Sequence, residues 1–569
     1  MGSVMSKIKI EDIPKDDILG YEARHVTYCL AEDGQSDLHV VKEYVHLKDG
    51  TRIPNVRAFP NFKRPLWVTR EGFRNHKDKK EYEEESKLIK YEVPQFKLLD
   101  KVSNVLTGMP KARRSFRQLA ESPYLYGCDI SSGAILRNDV YRSRFPNCVS
   151  PKAGVAVLDI ETDVVHGTSD IILITLSFGT RCITAINTQF IPLSSSPIEN
   201  SRIMIDKIMG DVVRKRGINV ELVTADSPAE CVKLIMAKAH EWMPDFIVIW
   251  NIDYDLPVIN TALTKAGVSH ADVFSDPSVP TEYRFYNYRQ GKKIKITQGG
   301  AEFSLHWADR WHTVECPASF YFLDAACVYK RIRIAKGMEP SYSLDAILNK
   351  HIGSGKLDIA EVAHLSGLEW HIEMQRRFPF QYVAYNIYDC VAVELLDDKN
   401  GDINSSFPIL CGVSDYGNFA SNPRRIVDDM HFFYREFDKV IATTGADLRK
   451  EEDEYVIGLN DWIATLPAHL MGREGLRLIK ELPKAISRCF IMCADIDIEG
   501  TYPTLEDVLN IAKETTAREL SSIAGLPEHK RREVGINVSG GPVNAIEICV
   551  EVMGLPTPIE WLDIYDAAA

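Results

Sequence analysis

The chain has 569 residues, of which 45% are hydrophobic and 26% are charged, and its formal net charge is −13. That length is enough for roughly three or four domains, and the composition is ordinary for a soluble globular protein. No apolar run approaches the eighteen or so residues that cross a bilayer, and the N-terminus lacks a secretory pattern. Twelve cysteines lie without C-x-x-C pairs, which favours reduced thiols in a cytosolic compartment over a disulfide framework or a zinc site. Gly2 to Ser6 fits the loose N-myristoylation pattern, for which a chance match is the plainer reading.

Along the chain, residues 1–150 are mixed in pattern, with a charged run at Lys77–Lys87 expected as a solvated helix or loop. From Val155 the sequence turns strand-rich. Val155–Leu158 is a short apolar run, and Ile171–Phe178 and Cys182–Ile186 read as consecutive strands joined by a tight turn at Gly179. Ser227-Pro-Ala-Glu230 predicts a capping box with proline at the first helical position. Val232, Ile235, Met236, Ala239 and Met243 then share one helical face. Phe246–Trp250 reads as a buried strand, and Phe380–Asp398 returns to helical spacing. Strands, helix, strand and helix in succession predict a mixed α/β layer. Residues 399–480 read as a connector, and 481–569 as a last section whose strand Cys489–Ala494 runs into Asp495-Ile-Asp497.

Three acidic segments carry the chemistry. Asp159-Ile-Glu161 follows the Val155–Leu158 strand, and carboxylates at i and i+2 project to one side of an extended chain. Their four oxygens suit a hard cation such as Mg²⁺. Alone the pair is weak, since D-x-E recurs at Asp497-Ile-Glu499 and a solvated turn explains either copy. Asn251-Ile-Asp-Tyr-Asp255 follows the Phe246–Trp250 strand, where spacing does not choose between Asp253 and Asp255, and where Asn and Asp also start helices. Tyr385-Asn-Ile-Tyr-Asp389 puts Tyr385 and Asp389 on one helical face. An Asp on a partly buried face needs a partner, and a metal would serve. An acidic chain is a poor prior for nucleic-acid binding, but carboxylate-held metals require negative charge. Two compact basic stretches, Arg289–Lys295 and Lys330–Lys336, would suit either phosphate contact or a solvated strand edge.

Taken in order, D-x-E, N-x-x-[FY]-D and Y-x-x-x-D resemble the signature of DnaQ-like 3′→5′ exonuclease domains. The resemblance implies an RNase H-like domain over 151–398. It implies Asp159, Glu161, Asp255 and Asp389 as ligands for two Mg²⁺ or Mn²⁺ ions about 4 Å apart, with Asp253 a neighbour only. One ion would lower the pKa of a bound water and the other would stabilise the leaving 3′-oxygen. Tyr385 would orient the attacking water, Asn251 would contact substrate, and the product would be a 5′-mononucleotide.

Further segments resemble family B DNA polymerases, especially those of T-even-like bacteriophages. Pro340-Ser-Tyr-Ser-Leu-Asp345 is similar to the family's segment ahead of the third exonuclease motif. Trp250-Asn251 and Asp255-Leu-Pro257 are similar to the second. Asp497-Ile-Glu-Gly-Thr-Tyr-Pro-Thr504 resembles polymerase motif A, with Gly500 and Thr501 as departures, and Asn510–Thr515 continues in a similar register. The match spans about 150 to 516, and residues 1–150 resemble the N-terminal domain by position and size only. The resemblance implies a multidomain α/β and α+β protein: N-terminal domain, exonuclease domain, connector returning to the N-terminal domain, and partial polymerase palm. In the palm, Asp497 would be a catalytic metal ligand and Tyr502 would lie under the incoming sugar.

The chain shows no K-x-x-x-N-S-x-Y-G fingers motif and no D-T-D palm motif after Tyr502. The favoured expectation is the N-terminal part of a split polymerase, acting on single-stranded 3′ ends and primer–template DNA in the cytoplasm of an infected bacterium. A second chain would supply fingers, remaining palm and thumb, so that dNTP binds at the completed site, and a sliding clamp is a further candidate partner. A stand-alone exonuclease with a vestigial palm and a non-catalytic replisome scaffold are the alternatives.

Overall fold

The computed structural model describes residues 13–443, apart from 78, 151, 297–301, 334–336, 358 and 406–422, together with strand residues 516–519, 535–538 and 542–543. The chain divides into two compact units, Met1–Leu448 and Arg449–Ala569. In the second, strands Thr516–Glu519, Gly535–Val538 and Pro542–Val543 form an antiparallel sheet. Asp497 and Tyr502 lie outside the described residues.

The first unit mixes helices with several sheets. It opens on an antiparallel sheet of β1 (Ile18–Leu30), β2 (Asp37–Leu47) and β3 (Arg52–Pro60). β4 (Lys63–Thr69) then pairs with β5 (Leu88–Pro94) and β6 (Leu125–Tyr126). Strand Lys439–Ile441, far along the chain, pairs with Tyr82–Glu84. The charged run Lys77–Lys87 is therefore not a solvated helix or loop throughout. Glu83 is buried in that short strand between Lys80, at 2.5 Å, and Lys87, at 3.4 Å.

The central sheet contains β7 (Val155–Thr162), β8 (Ile171–Phe178), β9 (Arg181–Asn187), β10 (Asn219–Ala225), β11 (Phe246–Ile249) and β12 (Tyr321–Asp324). Its order is β10-β9-β8-β7-β11-β12. β7, β8 and β9 form an antiparallel meander, whereas β11 runs parallel to both β7 and β12. Period-two alternation sends Ala156, Leu158 and Ile160 of β7 to one face. There they meet helix α2 (Pro228–Trp242) and helix α3 (Ile252–Lys265). Val157 packs on the other face, against Cys390 and Val393 of helix α7 (Pro379–Asn400). Helices α1 (Pro197–Arg216), α4 (Ala325–Arg333), α5 (Leu344–Ile352) and α6 (Gly367–Arg377) complete this part.

Local chemistry explains both ends of α2. The Ser227 hydroxyl accepts the Glu230 N–H at 3.2 Å and caps α2, but the Glu230 carboxylate pairs with Lys233 at 2.6 Å. Only the serine half of the expected box is thus in evidence. α2 ends where Met243 turns left-handed, with φ 48°, before Pro244. The turn also meets the first sheet: the Lys42 ammonium donates to the Met243 carbonyl at 2.5 Å, and the His25 ring bonds the Asp245 carbonyl at 2.7 Å. Burial pushes His25 down to about 3, so the ring is neutral and donates from Nε2. No helix among the described residues is long and apolar enough to cross a membrane. The described cysteines are free and buried.

Candidate active site

β7 runs through Thr162, so Asp159 and Glu161 lie within the strand and not beyond its end. They point to the α7 face, where Asp159 stands opposite Thr175 and Glu161 opposite Leu173. A register irregularity between Glu161 and Thr162 ends the regular pairing there. α7 supplies Tyr385 and Asp389 from one stripe, both buried. Asp159, Glu161 and Asp389 each offer an oxygen within 4.8 Å of the others, a grouping that could hold a metal ion. Asp255 lies in the first turn of α3, buried, and lines the same cleft outside that triad. Asp253 turns away: Gln290 donates to it at 2.9 Å, and His312 lies 3.7 Å from it.

The cleft holds about 190 Å³ and is walled by Trp250, Asn251, Tyr254, His371 and Tyr385. Asn251 occupies the position before α3 without a side-chain cap bond. The Trp250 indole donates to the Tyr342 carbonyl at 3.1 Å, tying the wall to the Pro340–Asp345 segment. Tyr254 is half exposed, and its hydroxyl lies 2.9 Å from that of Thr162.

Two contributors were not singled out in the sequence. Lys356 donates to Asp389 Oδ2 at 2.5 Å and to the Tyr385 hydroxyl oxygen at 3.0 Å. Its loop is anchored by Asp345, whose Oδ1 accepts the Lys356 backbone N–H at 2.8 Å. A Cβ at Gly355 would sit 2.3 Å from that oxygen, so the anchor demands glycine. Asp324, at the end of β12, accepts the N–H groups of Ile252 and Cys327, each at 2.9 Å. One carboxylate thereby satisfies the starts of α3 and α4 and fixes where Asp255 emerges. The available signal for Lys356 was charge: four clustered carboxylates call for a cation.

Burial, and then the charges of Asp389, Asp255 and Glu161, hold Asp159 well above the usual carboxylate range. Burial pushes Glu161 up to about 7 and also raises Asp255. Asp389 is raised by burial, against the pull of Lys356. Burial disfavours the charge on Lys356, yet Asp389, Tyr385 and Asp159 together raise it well above an ordinary lysine. Asp389 Oδ1 is buried without a hydrogen-bond partner. An orphaned carboxylate oxygen beside two more carboxylates is the donor set of a hard divalent cation, so the residues fit such an ion.

The basic stretches differ in environment. Lys330 is buried and donates to Asp309 at 2.5 Å, and Arg333 forms a two-pronged pair with Asp402 at 2.6 and 2.7 Å. The described part of the second stretch is thus consumed largely inside the protein. In the first, Arg289, Lys292, Lys293 and Lys295 are exposed. No protein-family model matches the chain, and no curated protein matches it.

Proposed function

We propose that this cleft is a 3′→5′ exonuclease site that removes 3′-terminal nucleotides from DNA, the proofreading part of a family B DNA polymerase. In this reading the central sheet is an RNase H-like scaffold, and the residues after 481 belong to a palm completed by a second chain. One observation carries the reading: the strand pair Asp159 and Glu161 and the helix residue Asp389 converge within 4.8 Å at a cleft that Asp255 also lines. The three ordered acidic segments thus meet at one cleft although more than two hundred residues separate the first from the last.

Divalent ions bound here would supply an activated water and stabilise the leaving 3′-oxygen. Asp159, Glu161, Asp255 and Asp389 would hold them. Lys356 offsets part of the clustered negative charge and keeps Asp389 available as a carboxylate. The Tyr385 oxygen accepts from Lys356, which holds the hydroxyl beside Asp389, where its O–H would orient the attacking water. Trp250, Tyr254 and His371 offer flat surfaces on which an unstacked terminal base would lie. The exposed cations at 289–295 would face the phosphate backbone.

The test is digestion of a single-stranded DNA oligonucleotide with Mg²⁺ or Mn²⁺, with the products identified. The expected product is 5′-mononucleotide, and Asp159→Ala with Glu161→Ala should abolish it. Unchanged digestion by the double variant would refute the assignment.

A further inference from the structure

Helix α7 does more in this cleft than supply Asp389 and Tyr385. Tyr382, Tyr385, Asn386 and Asp389 fall at i, i+3, i+4 and i+7, one stripe facing the sheet. Tyr382 and Asn386 each bond one carboxylate of β7. The Asn386 amide donates to Asp159 Oδ2 at 2.7 Å, and the Tyr382 hydroxyl donates to Glu161 Oε2.

Each donor is itself oriented by a partner that can act in one direction only. Thr175 donates its single proton to Asn386 Oδ1, which turns the amide N–H₂ toward Asp159. Thr175 must therefore accept from Thr184, 2.8 Å away on β9. Thr184, Thr175 and Asn386 are fully buried. On the other arm Tyr382 spends its proton on Glu161, so its oxygen must accept from His371 Nδ1–H at 2.7 Å. The rings of Tyr382 and Tyr385 stack at 5.8 Å and 4°, which fixes the phenol sideways as well. Asp159 and Glu161 each keep their second oxygen clear of hydrogen bonds to the described residues.

We propose that Tyr382 and Asn386 are positioning residues that set the two β7 carboxylates for metal binding. They act through two hydrogen-bond relays, Thr184–Thr175–Asn386–Asp159 and His371–Tyr382–Glu161. Each relay occupies one oxygen and aims the other at the ion. Partners of this kind govern metal affinity because they remove the rotamer freedom a ligand would otherwise lose on binding. The inference rests on the exonuclease reading for the reaction, but not for the metal site.

The test uses the full chain, its Tyr382→Phe and Thr175→Val variants, and Thr175→Ser, which keeps the hydroxyl. Mn²⁺ binding is measured by electron paramagnetic resonance. The Mg²⁺ half-saturation and oligonucleotide KM are measured in 3′-end digestion. Tyr382→Phe and Thr175→Val should each weaken Mn²⁺ binding about 10- to 100-fold. Oligonucleotide KM should stay within about twofold, kcat should recover at high metal, and Thr175→Ser should behave like the parent. Parental Mn²⁺ affinity in both variants, or a kcat loss that saturating metal does not restore, would overturn the relays. A parent chain that binds Mn²⁺ but digests no DNA would overturn the exonuclease reading and leave the relays standing.

Discussion

Asp389 has two oxygens in two different situations. Oδ2 is held by Lys356, whereas Oδ1 is buried with no partner. A buried unpaired acceptor costs on the order of 1–3 kcal/mol, and more when it is charged. A cation would relieve that cost for the whole cluster, and the proton balance gives a sign. Glu161 titrates at about 7 when folded, above its ordinary value of 4.5. Its contribution to stability is therefore present below about pH 4.5 and is lost as pH rises through about 7. Without metal, the cluster should weaken the fold between pH 5 and 8. Added Mn²⁺ should raise the melting temperature more at pH 8 than at pH 6, because at pH 6 the ion must displace more protons. Equal metal-induced shifts at both pH values would contradict the burial-driven rise. Lys356→Met should leave the carboxyls more protonated in the metal-free protein. Calorimetry in two buffers of different ionisation enthalpy should then find more protons released per ion at pH 7 than in the parent, and equal release would show that Lys356 does not tune the cluster.

At the scale of elements, the two faces of the central sheet do different work. Ile235 on α2 is fully buried against the face opposite the carboxylates. Ile235→Ala should cost about 2–5 kcal/mol of stability. It should leave the Mn²⁺ dissociation constant within about twofold, since Asp159, Glu161 and Asp389 converge on the other face. Parallel loss of stability and metal affinity would show that the faces are coupled. Gly355→Ala should act in the opposite sense, with a small change in melting and a large loss of turnover, because its Cβ collides with the Asp345 anchor of Lys356. Retained turnover in that variant would exclude a role for the anchored loop.

The same elements show what periodicity can and cannot reveal. Ile171–Phe178 was legible to the residue, and the α2 stripe nearly so, because strong apolar patterns and a Ser-Pro start outweigh context. β7 extends four residues past the expected end, since a strand ending in buried acids has no apolar signal to mark it. Asp255 was separable from Asp253 only through the order of motifs. The physical reason, Gln290 and His312 drawing Asp253 aside, depends on residues distant in sequence. Lys356 and Asp324 were hidden for a related reason: clustered carboxylates call for a cation without saying which, Lys356 sits in a loop without periodicity, and Asp324 looks like any strand-end acid. Both gain meaning only from what the fold brings beside them.

For the whole molecule, the acidic balance and the exposed cations at 289–295 pull in opposite directions. A carboxylate-rich metal cleft with a local path for phosphates would reconcile them. Under the split-polymerase proposal this chain alone should extend no primer, and extension should appear when a chain carrying fingers and D-T-D motifs is added. Extension by the lone chain would reveal a palm carboxylate not identified among its motifs. The cleft is tested most directly by the polarity of digestion of a 5′-labelled oligonucleotide with a single-stranded 3′ end. Digestion should give a ladder shortening one nucleotide at a time from the 3′ end, dependent on Mg²⁺ or Mn²⁺ and lost when Asp159 and Glu161 are both replaced by alanine. Immediate release of the 5′ label, internal cuts alone, or a ladder that survives the double replacement would contradict the exonuclease assignment.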